Sequence, residues 1–358
     1  TIVTAVGAYR SLEETRNAFY DRYRFATVFS GLTHGPLHLK HALATISGVN
    51  GVELRVVRPV VLDIPGMTEP ATGIVVSIPD KGEPAVNRLY LRAGRLPFPE
   101  RRDEIAVSES LAKAHAMKPG SRFQAIMNGR KRLLTVSGIV LTPEYVYAIG
   151  PGDMVPDQRR FGVLFMPQST VSGIFDMQGG FNDVVIRTQR QTDLSSVIEK
   201  VDVILRAYGG RGAHQRSEQT SHAFLDNELT QLRAMAVVIP PVFLFVSAFL
   251  VNMILTRLIA LEREQIGLMK AVGYGSTSIA WHYAKLTLVI AAVGILIGAT
   301  AGSWLGHGMT RLYARFFTFP FLIFSQSADL YLIAGAFSAA AALSGSALAI
   351  WSVVKLAP

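Results

Sequence analysis

The stretch from Thr256 to Lys285 reads TRLIALEREQIGLMKAVGYGSTSIAWHYAK and lies between two long segments without charged side chains. It contains both charged and apolar residues, and the apolar residues recur at the spacing of one helix face. The apolar positions are Leu258, Ile259, Ile266, Met269 and Val272. The pattern predicts an amphipathic helix over Ile259–Gly273, lying on a membrane surface and ending at Gly273.

The flanking segments are long enough to cross a membrane. No charged side chain occurs between Arg233 and Arg257, and about 20 apolar residues suffice for a helix across a roughly 30 Å hydrocarbon core. Two further uncharged segments follow. The sequence therefore predicts a membrane domain over 217–358 with three spans, at Ala234–Leu255, Leu286–Leu305 and Leu330–Val354.

Composition narrows the possible classes of protein. The chain has 358 residues, a formal net charge of +9 and no cysteine, which excludes disulfides and thiolate metal sites. The basic residues are scattered, so we do not expect nucleic acid as a partner. Residues 1–10 are predicted to be the end of a truncated first transmembrane helix, and Ser11 with Glu14 has the form of a capping box at a helix start.

Residues 11–216 are predicted to form an α+β domain. Strands and helices alternate at both ends of this region, with one strand over Val52–Asp63, and the two ends are expected to pair into a single body. Between them, residues 95–142 predict an inserted β-rich subdomain with a hairpin at Asn128–Gly129. Pro143–Gln158 is rich in Pro, Gly and Asp and is expected to be an exposed loop. The predicted fold class is thus an α+β domain plus an α-helical transmembrane bundle.

Lysine and arginine give the orientation of the spans. The side that holds the amphipathic helix carries Arg257, Arg263, Lys270, Lys285 and Lys355, whereas the connector from Gly306 to Asp329 carries only Arg311 and Arg315. Because basic residues favour the cytoplasmic side, the amphipathic helix is predicted to be cytoplasmic and the α+β domain extracytoplasmic.

The predicted spans contain no Asp, Glu, Lys or Arg, so they offer no ion-coupling site. The chain also lacks a G-x-x-x-x-G-K-[ST] loop for nucleotide, so energy must come from a partner. Glycines recur at every fourth position in the second half of the second span and just past its end, and this row predicts a helix-packing seam, either fixed or moving: Gly294, Gly298, Gly302 and Gly306.

Three histidines form the pattern H-x-x-x-H-x-x-H at His34, His38 and His41. Neutral imidazoles at this spacing are able to share one divalent metal, but Gly35 and Pro36 separate the first from the other two. We therefore expect surface or packing histidines, with a zinc site as the alternative.

The stretch ALEREQIGLMKAVG, Ala260–Gly273, resembles the E-R-x-x-E-I-G-x-L-K-A-x-G signature of the MacB/FtsX-type ABC transporter permeases. Gln265 departs from that signature, since the family has Glu there, and the Glu262–Arg263 pair is one residue nearer to Ile-Gly. The resemblance implies a porter-like α+β body with a β-rich insert in the extracytoplasmic domain. It also implies a multi-pass protein of the bacterial cytoplasmic membrane.

The resemblance further implies a permease subunit without catalytic, cofactor or metal sites of its own. A cytoplasmic ABC ATPase would bind ATP and contact the amphipathic helix. The contacts implied are Glu262, Arg263, Glu264 and Lys270 as polar groups, Ile266 and Met269 in its groove, and Gly267 and Gly273 for close approach and the turn. Further expected partners are a second permease subunit or an identical copy, the lipid membrane and an extracytoplasmic adaptor. ATP hydrolysis would move the outer domain, to export or extract a lipoprotein, peptide or drug. The alternative is an FtsX-like regulator that activates an extracytoplasmic cell-wall hydrolase without transport.

Overall fold

The computed structural model describes residues 2–150, 152–153, 155–324 and 327–355. The chain divides into two compact units. A helical unit comprises Thr1–Glu14, Glu228–Tyr313 and Leu322–Pro358, and a mixed unit comprises Thr15–Asn227 and Ala314–Phe321.

The helices are α1 Ile2–Arg22, α2 Leu39–Ala44, α3 Glu109–Ala114, α4 Gln168–Ile174, α5 Leu194–Arg206, α6 Thr220–Leu261, α7 Arg263–Ala271, α8 Ser276–Phe316 and α9 Ala328–Lys355. Helices α1, α6 and α8 each continue from one unit into the other. The strands are β1 Val28–Pro36, β2 Val49–Arg55, β3 Val57–Asp63, β4 Ala71–Ile78, β5 Tyr90–Gly94, β6 Glu104–Ser108, β7 Arg122–Met127, β8 Arg130–Leu141, β9 Phe161–Pro167, β10 Gly180–Thr188 and β11 Ala213–Gln215.

The mixed unit contains a four-stranded antiparallel sheet in the order β11-β1-β10-β2. Helices α2 and α5 cover one face, where Leu43, Phe181 and Val201 are fully buried. Asp193 caps α5 by accepting a hydrogen bond from the backbone N–H of Ser195. Strands from the two ends of the α+β region thus share one sheet, and the predicted fold class is confirmed.

A second sheet has the order β5-β8-β6-β9-β4-β3-β7, and β7 also pairs with β8. This last pairing closes six of the seven strands into a barrel around a buried apolar core. The β7–β8 hairpin turns at Asn128 and Gly129, which have φ angles of 50° and 72°, as the Asn-Gly signal predicted.

Two boundaries differ from the sequence-based prediction. The strand predicted over Val52–Asp63 is two strands, because the chain leaves the first sheet after Arg55 and enters the second at Val57. A run of β-branched residues indicates extended backbone but not which sheet it joins. The second sheet consequently extends from Val57 to Pro167, beyond the predicted insert at 95–142.

The helical unit contains three helices long and apolar enough to span a membrane, among the residues described: Thr220–Leu261, Ser276–Tyr313 and Ala328–Ser352. Helices α6, α8 and α9 enclose the three predicted spans. Helix α6 continues through Pro240 and Pro241. Helix α1 is continuous from Ile2, so Ser11 lies buried within it and does not cap a helix start, contrary to the capping-box prediction.

Candidate functional site

The short helix α7 begins at Arg263, directly after α6 ends at Leu261. Glu262, with φ −92° and ψ 10°, separates the two helices. The prediction of one helix from Ile259 was therefore wrong at its start, because residues 259–261 complete α6. At the other end, Gly273 has φ 103°, and the backbone N–H groups of Gly273 and Tyr274 donate to the carbonyls of Lys270 and Met269. This paired closure requires a left-handed residue, which explains the glycine.

One face of α7 packs against the other helices of its own unit. Ile266 is fully buried in a cluster with Leu255 and Ile259 of α6, Ile279 and Tyr283 of α8 and Ala349 of α9. The prediction that Ile266 fills a groove of a partner is therefore wrong. Its apolar surface is already removed from water by the chain itself, and this contact holds α7 against the spans.

The predicted polar contacts of α7 divide into two pairs. Glu262 accepts a hydrogen bond of 2.5 Å from the Tyr283 hydroxyl, and the Lys270 ammonium donates to the Val354 carbonyl at 3.3 Å. Arg263 and Glu264, by contrast, are exposed. Only the second pair presents its charges outward without an internal hydrogen bond in the structure described here.

The outward face of α7 also carries exposed apolar side chains, of which the helical pattern singled out only Val272. Leu268 and Val272, the C-cap residue of α7, are 67% and 73% exposed and lie four residues apart, at the spacing of a helix face. Leu261, the last residue of α6, is 77% exposed. Met269 is 37% exposed, and a Cβ on Gly267 would meet open space. We call Leu261, Arg263, Glu264, Leu268 and Val272 the outer face of α7. A face that mixes large apolar and charged groups is typical of helix-in-groove recognition.

The glycine row of α8 is only partly used for packing. Gly302 contacts α1: its carbonyl accepts a hydrogen bond of 3.1 Å from the Thr4 hydroxyl, and an added Cβ would lie 3.2 Å from Val3 Cβ. Gly306 is buried. Cβ atoms on Gly294 and Gly298 would meet nothing within 4 Å among the described residues, and both glycines line an apolar cavity of about 370 Å³.

The tightest helix contact lies elsewhere in this unit, at Gly345 of α9. An added Cβ there would lie 2.7 Å from the Cα of Ala248 in α6. Sequence reasoning missed this position because Gly345 stands alone, whereas the row on α8 repeats. A repeat of small residues indicates that a helix has a smooth face, but not which face a neighbour uses.

The three histidines do not form a metal site. Among the described residues, no group of three or more His, Cys, Asp or Glu side chains is placed to hold a metal ion. His34 lies in β1 and packs against Gly180 of β10, while His38 directly precedes α2 and His41 lies within it. The different elements explain why the spacing does not bring the rings together.

Within the mixed unit, Arg55 at the end of β2 forms a buried ion cluster. Its guanidinium donates to Glu144 at 2.5 and 2.9 Å and to Asp183 of β10 at 2.7 Å. Asn87 donates a further bond of 2.6 Å to Glu144. Burial raises the pKa of Asp183, and the two carboxylates outweigh the effect of burial on Arg55 and hold its pKa well above the ordinary value.

These features together define a protein with three apolar helices long enough to span a membrane, a large mixed α/β unit and a short amphipathic helix. Residues 237–358 match the family model described as FtsX-like permease C-terminal. The C-terminal third of the chain is thus an FtsX-like permease domain, and the signature at Ala260–Gly273 that resembles the MacB/FtsX-type permeases lies inside it.

Three solved structures are similar to the chain. The periplasmic region of MacB from Actinobacillus actinomycetemcomitans is 13% identical, with a TM-score of 0.35, and the match covers 59% of this chain and 95% of that one. The extracellular domain of the noncanonic ABC-type transporter YknZ from Gram-positive bacteria is 13% identical, with a TM-score of 0.34 and coverage of 53% and 98%. A domain of a putative permease protein from Porphyromonas gingivalis is 14% identical, with a TM-score of 0.29 and coverage of 56% and 89%. No curated protein matches the chain in sequence.

Proposed function

We propose that this chain is the permease subunit of an ABC transporter and that a cytoplasmic ATPase docks on the outer face of α7. The observation that carries the proposal is the division of α7 into two faces. Ile266 secures the helix to the spans, while the outer face presents exposed charged and apolar side chains. A helix held in this way is able to transfer force from a bound partner to α6 and α8.

The chemistry of the spans supports energy input from outside the chain. The three apolar segments contain no Asp, Glu, Lys or Arg, and intramembrane ionisable residues are the usual basis of ion-coupled transport. ATP bound by the partner would therefore drive the cycle. The output would be movement of the mixed unit, which exports or extracts a lipoprotein, peptide or drug.

The orientation that this function needs follows from the distribution of basic residues. Arg257, Arg263 and Lys270 lie at or beside α7, and the positive-inside rule places that end of the spans in the cytoplasm. The mixed unit is then extracytoplasmic, in the inner membrane of a bacterium. The absence of cysteine makes a direct test simple: single cysteines replace Arg190 in the mixed unit and Leu268 in α7. A membrane-impermeant maleimide added to intact spheroplasts should label only the first, and labelling of position 268 under these conditions would contradict the orientation.

The docking of the ATPase is tested by Leu268→Lys. We expect the ATPase that co-purifies with the wild-type chain to contain a Walker motif and to hydrolyse ATP, and we expect its association with the variant to fall by about tenfold or more, since central interface side chains contribute about 2 kcal/mol or more. Leu133→Lys is the matched control, because Leu133 is also a largely exposed leucine but lies on β8 of the mixed unit. Equal association of the wild type and both variants would refute docking at this face.

A further inference from the structure

The segment from Thr142 to Tyr147, directly after β8, is not the exposed loop that its composition predicted. Thr142, Pro143, Glu144 and Val146 are buried. The Glu144 carboxylate of this segment bonds Arg55 of β2, which links the segment to the four-stranded sheet. The segment also follows directly from the barrel strand β8. We call residues 142–147 the junction segment.

The junction segment also binds the beginning of α6. The side-chain amide of Gln219 donates 2.9 Å to the Glu144 carbonyl, and the Tyr147 N–H donates 2.9 Å to the Ser221 hydroxyl. Gln219 is itself fixed, since its side-chain oxygen accepts a hydrogen bond of 2.7 Å from the His222 N–H. The first turn of α6 and the junction segment are therefore connected by two hydrogen bonds of good length.

The chain between α8 and α9 reaches the same segment. The Val146 carbonyl accepts hydrogen bonds from the Thr318 N–H at 3.0 Å and from its hydroxyl at 2.9 Å. The Tyr147 ring lies between Phe224 of α6 and Phe317, with centroids 5.0 and 5.2 Å apart. Aromatic contacts at this separation add to the packing of the segment.

We propose that the junction segment transmits displacement of α6 and of the α8–α9 connector to the two sheets of the mixed unit. This inference rests on the proposed function, which supplies the displacement. Six consecutive residues hold α6, the connector and the four-stranded sheet at once, through bonds that are buried at Arg55 and partly buried at Gln219, Ser221 and Thr318. A buried, hydrogen-bonded network moves as one body, because breaking any of its bonds leaves an unsatisfied polar group. The segment moves with the four-stranded sheet, to which Glu144 binds it through Arg55, while its chain bends where β8 of the barrel ends. A displacement of the segment therefore changes the orientation of that sheet relative to the barrel.

The test measures that reorientation in the full chain bound to its ATPase in nanodiscs. Spin labels replace Arg130, at the hairpin of the barrel, and Arg190, after β10, where the native side chain is 93% exposed. We expect the distance between the labels, measured by pulsed electron paramagnetic resonance, to change between the nucleotide-free state and the ATP–vanadate state. In Gln219→Met/Ser221→Ala, which lacks both bonds to α6, at least half of this change should be lost while ATP turnover stays within twofold of the wild type.

Two comparisons keep the result interpretable. Thr45→Val/Ser169→Ala removes two side-chain hydrogen bonds elsewhere in the mixed unit and should retain the full change. Thr318→Val, nearly isosteric, loses only the hydroxyl bond to Val146 and should show a partial loss even if the double variant folds poorly. A full distance change in every variant overturns the junction while leaving the ATPase docking intact. If the distance between the labels in the wild type is the same with and without nucleotide, although ATP is hydrolysed, the coupled movement itself is overturned.

Discussion

Replacing Arg55 by methionine should selectively destabilise the contact between the four-stranded sheet and the junction segment. The Arg55 and Glu144 side chains are 6% and 7% exposed, and the guanidinium is shared with Asp183. The variant leaves the buried Glu144 carboxylate, to which Asn87 still donates, and the partly exposed Asp183 carboxylate without their cation. Removing one partner from a buried ion cluster costs about 3–5 kcal/mol, because the remaining charges lose their compensation.

Amide hydrogen exchange is the suitable assay, since the three tryptophans, Trp281, Trp304 and Trp351, all lie in α8 and α9 and do not report on the mixed unit. For exchange governed by the opening equilibrium, a loss of about 3 kcal/mol raises the rate roughly 150-fold. We expect this increase in peptides from β2, β10 and residues 142–147, measured on the intact chain in detergent.

Two further variants decide whether the lost charge pairing is the cause. Arg190→Met removes an exposed guanidinium 3.7 Å from Asp21 and should change exchange by less than about fivefold, since exposed pairs contribute about 0–1 kcal/mol. Arg55→Met/Glu144→Gln/Asp183→Asn removes all three charges and should recover most of the protection. The reasoning fails if Arg55→Met resembles Arg190→Met, or if the triple variant exchanges as fast as the single one.

Two other perturbations follow from local geometry. Hydrogen bonds from Arg95, Phe98 N–H and Arg101 lower the pKa of Glu104 from 4.5 to about 2. The lowered pKa stabilises the folded state at pH values above 4.5, and this contribution is lost as the pH falls from 4.5 to about 2. In an acid titration followed by circular dichroism, Glu104→Gln should therefore lose less stability over this interval than the wild type. Identical titration profiles of the two proteins would contradict this account. Gly345→Ala forces a Cβ against the Ala248 backbone and should cost about 1–3 kcal/mol of stability, which lowers the thermal midpoint measured by tryptophan fluorescence. Gly298→Ala places its Cβ in open space and should leave the midpoint unchanged. Equal midpoints for the two variants would exclude tight packing at Gly345.

Local patterns in the sequence determined the membrane part well. Three uncharged segments of sufficient length predicted the apolar helices, and Gly273 predicted the end of the amphipathic helix, where the structure has a left-handed residue. The Asn128–Gly129 hairpin followed for the same reason, because its backbone conformation depends on two adjacent residues. Helix length, turn chemistry and charge are properties of neighbouring residues, so they are readable without a fold.

Only the tertiary structure decided which side of each helix or strand is buried against other parts of the chain. Ile266 and Leu268 are both apolar residues on one short helix, yet the first is buried by α6, α8 and α9 and the second is exposed. Pro143–Tyr147 has the composition of a loop, but partners distant in the chain, Arg55, Gln219 and Thr318, bury it. The strand after Arg55 changes sheet without any signal in its residues. Each outcome depends on contacts between segments far apart in sequence, because burial is determined by the neighbours that the fold supplies.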